Sequence, residues 1–201
     1  TDTMSFTGAA LSQALQGAGR RVVLCGSMKP LGFGGDAEPN LDLAIKTALC
    51  NVDEGVFLCF ADQVLPAQGL IKQHSSDFDA FLSVPQLQLD VPQNRRFSSK
   101  NLAILTLSPA MPASALSAIL DHLDGAVLRV FGAGTAMSDP ALLAAVKTAV
   151  QQGKRIRAVG QCTMGGLEPG NYAAGAALWA AGVENGGVET PEAALIKIWL
   201  N

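Results

Sequence analysis

Short β-branched apolar runs alternate along this chain with longer stretches of helical spacing, and that alternation constrains the fold most strongly. RVVLCGS (21–27), GVFLCFA (55–61), NLAILTL (101–107), GAVLRVFG (125–132) and RIRAVGQC (155–162) each suit one buried strand and are too short for a helix. Between them, Phe6, Ala10, Leu11 and Leu15 fall at helical spacing over 4–16, with Gly17 and Gly19 punctuating the end. Further helices are expected over 40–50 and 113–123. Another opens at SDPALL, where Ser138 or Asp139 caps and Pro140 stands where its missing N–H is harmless. Thr190-Pro191-Glu192 opens the last helix by the same logic. Strands separated by helices predict an α/β protein with sheets covered by helices.

From Ser83 to Lys100 the pattern breaks: SVPQLQLDVPQNRRFSSK loses periodicity and collects Pro, Gln and basic residues. It reads as a linker between two small α/β domains, with bounds at 1–84, 85–100 and 101–201. A hydrophobic content of 49% supports a sizeable core, and 5% aromatics with 21 glycines suit close helix-on-sheet packing. KIWLN at the end stops in what reads as mid-helix, so a trimmed C-terminus is expected.

Charge argues against nucleic acid: 14 basic and 17 acidic residues give −3, and Arg20-Arg21 and Arg95-Arg96 are pairs rather than patches. No apolar run is long enough to span a bilayer, so no membrane partner is expected. Cys25, Cys50, Cys59 and Cys162 lack CxxC spacing. Cys25 and Cys59 read as small buried hydrophobes, and a reducing, cytoplasmic setting is favoured.

Ligand sites in open α/β sheets lie beyond the carboxyl ends of strands. That rule selects the turns Gly26-Ser27-Met28, Gly132 to Met137 and Gln161 to Gly166. Thr1-Asp2 would occupy such a turn only with a strand before it. On its own, Thr-Asp-Thr ahead of Met-x-Phe reads as a helix N-cap. FGAGTAM (131–137) lacks the third Gly of a dinucleotide fingerprint. LGFGGDAEPN (31–40) lacks the Lys-Ser/Thr of a P-loop and carries Asp36 and Glu38, which repel phosphate. His74 and His122 have no ligand partner at helical spacing, so no metal is expected. Lys72, in LIKQHSSDFDAF, is ordinarily a solvated residue. It becomes catalytic where a carboxylate and a hydroxyl converge on it, because a partly desolvated lysine can take a hydroxyl proton. Spacing leaves both readings open.

Taken together, these segments resemble the bacterial-type L-asparaginases, over essentially all 201 residues. TDTM is similar to the family's second Thr motif. VVLCGSMKP, followed by Asp36 and PNL (39–41), resembles its strand-and-loop motif, and the Lys72 segment with FDAF (78–81) its catalytic-lysine segment. LRVFGAG (128–134), Gln161-Cys162, NYAAGAAL (171–178), AGVENGG (181–187) and the Glu189–Ala193 run look like the smaller C-terminal domain, the Gln-Cys pointing to the cytoplasmic branch. The resemblance implies two Rossmann-like layered domains, the larger N-terminal one truncated at its start and the smaller one C-terminal.

It also implies an amidohydrolase converting L-asparagine to L-aspartate and ammonia, without a cofactor, in a homodimer or homotetramer. The family's Thr–Lys–Asp triad falls on Thr1, Lys72 and Asp2. Lys72 takes a proton, Thr1 acts as nucleophile or activates water, and Asp2 orients the lysine and holds the substrate's α-amino group. The Ser27 backbone meets the leaving amide. The family supplies another Thr from a Gly-rich segment upstream of this motif, so that segment is expected outside residues 1–201. Thr135 stands where the family carries an Asn reaching a neighbouring subunit, and Arg129 and Cys162 match positions lining an effector site. Two other readings stay open: Thr1 as a free N-terminal nucleophile, and an incomplete relative that binds an amino acid without turnover.

Overall fold

A computed structural model describes residues 1–50, 54–170 and 173–200. It contains two compact units, one built on Thr1–Arg96 and the other on Phe97–Trp199. In the first, α1 (Met4–Ala14) precedes β1 (Arg21–Cys25), α2 (Ala37–Leu49) and β2 (Gly55–Phe60). β1 and β2 pair in parallel, Val23 opposite Phe57, which requires the crossover that α2 supplies. α2 begins at Ala37, three residues before the expected Asn40. Pro39 is accommodated in the first turn, where a missing N–H breaks no helical bond.

β3 (Gln63–Pro66) returns antiparallel to β2 through Ala61-Asp62, whose φ values of 50° and 58° suit a tight hairpin turn. β4 (Leu70–Lys72) and β5 (Phe81–Ser83) form a separate hairpin, Lys72 opposite Phe81. Leu58, Phe60, Ala67, Leu70 and Phe81 make this unit's core, with Phe60 and Phe81 edge to face at 5.1 Å between ring centroids. Met4 and Leu11 of α1 pack on it. Gly8 permits the close approach, because a Cβ there would lie 2.6 Å from the Ala67 carbonyl oxygen. Cys59 is buried as expected, but Cys25 is exposed. The sheet order β1-β2-β3 explains the difference: Cys59 lies on the central strand and Cys25 at the end of an outer one.

No helix or strand occurs from residue 84 to 101. The second unit alternates regularly: β6 (Leu102–Thr106), α3 (Ala113–Asp121), β7 (Gly125–Val130), α4 (Pro140–Gln151), β8 (Arg155–Gly160), α5 (Ala173–Ala180), β9 (Glu184–Asn185) and α6 (Pro191–Trp199). The strands pair in parallel in the order β6-β7-β8-β9. Apolar side chains leave the sheet in both directions. Leu128 and Ile156 pack with Leu116, Leu120, Leu142 and Val146 of α3 and α4, while Val127 and Val159 pack with Ala194 and Ile198 of α6. This is why β7 reads as a continuous apolar run. Asp139, rather than Ser138, caps α4, accepting from the Ala141 N–H at 2.8 Å. Thr190 Oγ1 accepts from the Ala193 N–H at 3.1 Å. Asn171, Tyr172 and Asn201 lie outside the described residues.

Candidate active site

β4 ends on Lys72, and the antiparallel β5 fixes its backbone. The side chain is 20% exposed and reaches the residues ahead of α1. Its Nζ lies 2.8 Å from Thr1 Oγ1 and 2.7 Å from Asp2 Oδ1, while Thr1 Oγ1 is 3.5 Å from Asp2 Oδ1. A hydroxyl, an amine and a carboxylate thus meet within hydrogen-bond reach, the convergence that spacing could not demonstrate.

Thr-Asp-Thr does open a helix, as its N-cap reading expects, while the Thr1 and Asp2 side chains meet Lys72. The cap of α1 is Thr3, which makes no side-chain capping bond. The hydrogen bond from Lys72, and then its positive charge, hold the Asp2 carboxyl below the ordinary aspartate value. Asp2 is itself largely exposed, so its open side remains available to a ligand.

Ser27 lies in the turn leaving β1, beside Gly26. A Cβ added at Gly26 would stand 3.0 Å from Met4 Cε and 3.8 Å from Thr1 Cγ2, so this turn passes close to Thr1. Asp36 holds the turn, accepting from the Met28 N–H at 2.7 Å and the Lys29 N–H at 3.0 Å. Burial alone would raise its carboxyl, but these backbone donors outweigh burial and hold it below the ordinary value. The reading of Asp36 as a phosphate-repelling loop charge therefore misses its structural role. An acidic residue among glycines was the available signal, since carboxylates readily collect loop amides.

His74 is engaged locally, its Nδ1 accepting from the Ser76 and Asp77 N–H groups. Among the described residues, no group of three His, Cys, Asp or Glu side chains could hold a metal ion. No helix there is long and apolar enough to cross a membrane.

The remaining candidates lie in the second unit. Arg129 Nη2 donates to the Gln161 carbonyl at 3.3 Å, and Gln161 Nε2 donates to the Leu107 and Arg129 carbonyls at 2.7 and 3.0 Å. Among the described residues, Arg129 Nε is buried with no hydrogen-bond partner, and Cys162, next in sequence to Gln161, is exposed. Thr135 closes a tight turn, pairing with Phe131. Gly134 in that turn has φ 121°, a conformation that only glycine adopts readily.

Two family matches cover the chain: "Asparaginase, N-terminal" over residues 1–102 and "Glutaminase/Asparaginase C-terminal domain" over residues 101–200. The chain belongs to the asparaginase family. "L-asparaginase 1" of Escherichia coli K12 is 30% identical over 219 residues, covering 98% of this chain and 65% of that protein. The human "60 kDa lysophospholipase" is 31% identical over 98% of this chain and 38% of its own length. Among solved structures, L-asparaginase I from Vibrio cholerae superposes with a TM-score of 0.86 at 30% identity, covering all of this chain and 67% of that one. The chain thus spans less than two thirds of the curated relatives just named.

Proposed function

We propose that the protein hydrolyses L-asparagine to L-aspartate and ammonia, with Thr1, Lys72 and Asp2 as catalytic residues. The convergence of Lys72 Nζ on Thr1 Oγ1 and Asp2 Oδ1, at 2.8 and 2.7 Å, carries this reading. In the uncharged amine form, Lys72 takes the Thr1 hydroxyl proton as Oγ1 forms a bond to the side-chain carboxamide carbon. The carbonyl oxygen gains negative charge, which the Thr1 backbone N–H helps to stabilise. Collapse of that intermediate breaks the C–N bond, and the proton held by Lys72 accompanies the nitrogen out as ammonia. Water then cleaves the resulting ester, releasing aspartate and restoring the Thr1 hydroxyl. In the alternative route, Thr1 and Lys72 activate water to attack the carboxamide directly. Asp2 orients Lys72 and offers its open carboxylate oxygen to the substrate's α-ammonium. The Ser27 backbone receives the carboxamide nitrogen.

The chemistry calls on no cofactor. The family resemblance supports a cytoplasmic homodimer or homotetramer, in which Thr135 faces a neighbouring subunit. The family resemblance also supports a small effector ligand at Arg129 and Cys162.

A coupled ammonia assay on the intact protein, with L-asparagine and with Lys72→Met alongside wild type, tests the reading. Ammonia release by wild type alone supports it. Binding of L-asparagine by wild type without release would replace it with an amino-acid binder.

A further inference from the structure

Asn40 is almost fully buried, at 1% exposure, and its amide has three partners. Nδ2 donates to the Gly26 carbonyl at 2.9 Å and to Asp36 Oδ2 at 3.3 Å, while Oδ1 accepts from the Ala61 N–H at 3.0 Å. Two acceptors on one side and one donor on the other match an amide and nothing smaller. Asp36, 8% exposed, lies one helical turn before it on the same face and grips the Met28 and Lys29 amides. These two side chains therefore tie three pieces of backbone together: the exit from β1, the start of α2 and the strained β2–β3 turn. The piece they hold from both ends, Gly26 to Lys29, contains Ser27 and passes beside Thr1.

We propose that Asp36 and Asn40 are positioning residues for the carboxamide end of the substrate. By locking the Gly26–Lys29 turn they place the Ser27 backbone to receive the leaving nitrogen; this rests on the asparaginase reading above. Neither residue touches the reacting atoms. Their effect passes through the turn, and a small displacement of an aligning group lowers rate far more than it lowers affinity. L-Aspartate provides the diagnostic contrast, because it lacks the carboxamide NH₂ that Ser27 would meet yet carries the same α-amino group for Asp2.

The test uses Asn40→Asp in the intact protein. This variant preserves size and the acceptor for Ala61 but turns a carboxylate oxygen toward the Gly26 carbonyl and Asp36. The expected result is a fall in kcat of about a hundredfold. KM for L-asparagine and Ki for L-aspartate should stay within about threefold of wild type. Amide hydrogen exchange should accelerate at Met28 and Lys29. Lys46→Ala, at an exposed position of the same helix, should behave as wild type. If Asn40→Asp fails to fold, Asp36→Asn, which keeps one acceptor for the turn, is read the same way. An unchanged kcat in a folded variant overturns the proposal. So does a parallel loss of asparagine and aspartate affinity, which would mark general loosening of the fold. Absence of ammonia release from wild type is a separate outcome, seen without any variant, and overturns the asparaginase reading together with the proposal.

Discussion

Lys72 Nζ stands 2.8 Å from Thr1 Oγ1, although 71 positions separate the two residues in the chain. The β4–β5 hairpin supplies one partner and the lead-in to α1 the other, and α1 packs on the same apolar cluster that holds Leu70 and Phe81. The contact is thus a product of core packing, and perturbing either the chemistry or the packing has a distinct signature.

Replacing Lys72 by Met preserves the side chain's apolar length and removes the proton acceptor. Ammonia release from L-asparagine should fall by about 10²–10⁴-fold, the range for loss of a general base. Thermal stability should change little, since the pair it leaves involves the exposed Asp2. A kcat equal to wild type would remove Lys72 from the mechanism.

The Asp2 carboxyl is held below the ordinary aspartate value, so its pairing with Lys72 follows a definite sign with pH. For a depressed carboxyl, the stabilisation is fully present above the ordinary value and is lost as pH falls through the lowered one. The ion pair should therefore persist into the acid range, below about pH 4. Carboxyl-carbon NMR of wild type should place the Asp2 midpoint below the ordinary aspartate value. In Lys72→Met the midpoint should rise toward ordinary. An identical midpoint in both proteins would deny the coupling.

Gly8→Ala sets two effects against each other. Alanine in a helix interior gains about 1 kcal/mol over glycine. At Gly8, however, the new Cβ would stand 2.6 Å from the Ala67 carbonyl oxygen, and that backbone cannot swing aside as a flexible side chain could. Overpacking of this kind typically costs about 1–3 kcal/mol, so the net result should be destabilisation. Chemical denaturation measures it. A rise in midpoint would show that α1 and the turn at Ala67 are less tightly docked than described.

In the second unit, Arg157 makes a forked contact with Glu189, its Nε and Nη2 donating at 2.6 and 2.8 Å, while Nη1 reaches Glu184 at 2.9 Å. Arg157 is buried and the Glu189 side chain is only 12% exposed. Removing one partner leaves a charge short of its hydrogen bonds in a poorly solvated site. Glu189→Ala should destabilise by about 3 kcal/mol in a denaturation experiment. A loss under about 1 kcal/mol would reduce the pair to the rank of a surface contact.

The regular elements were legible in the residues themselves. Strand runs such as GVFLCF and GAVLRV, and helices capped at Asp139 and Thr190, follow from local periodicity and capping chemistry that neighbouring residues carry. Less was legible between Gln63 and Ser83. There the strands are three or four residues long, too short for a period, and form because Phe60, Leu70 and Phe81 share a core. Family resemblance named Thr1, Asp2 and Lys72 together, but residue spacing alone read Thr-Asp-Thr as a helix cap and left Lys72 ambiguous. Asp36 looked like a loop charge, and the exposure of Cys25 ran against its apolar neighbours. By itself, then, the sequence determined where strands and helices form, because those preferences act over a few residues. Only the tertiary structure decided that a lysine meets a threonine 71 positions away, that an outer strand leaves Cys25 in solvent, and that Asp36 and Asn40 grip one turn. The physical reason is range: each of these depends on which surfaces the core brings together, and no local pattern records it.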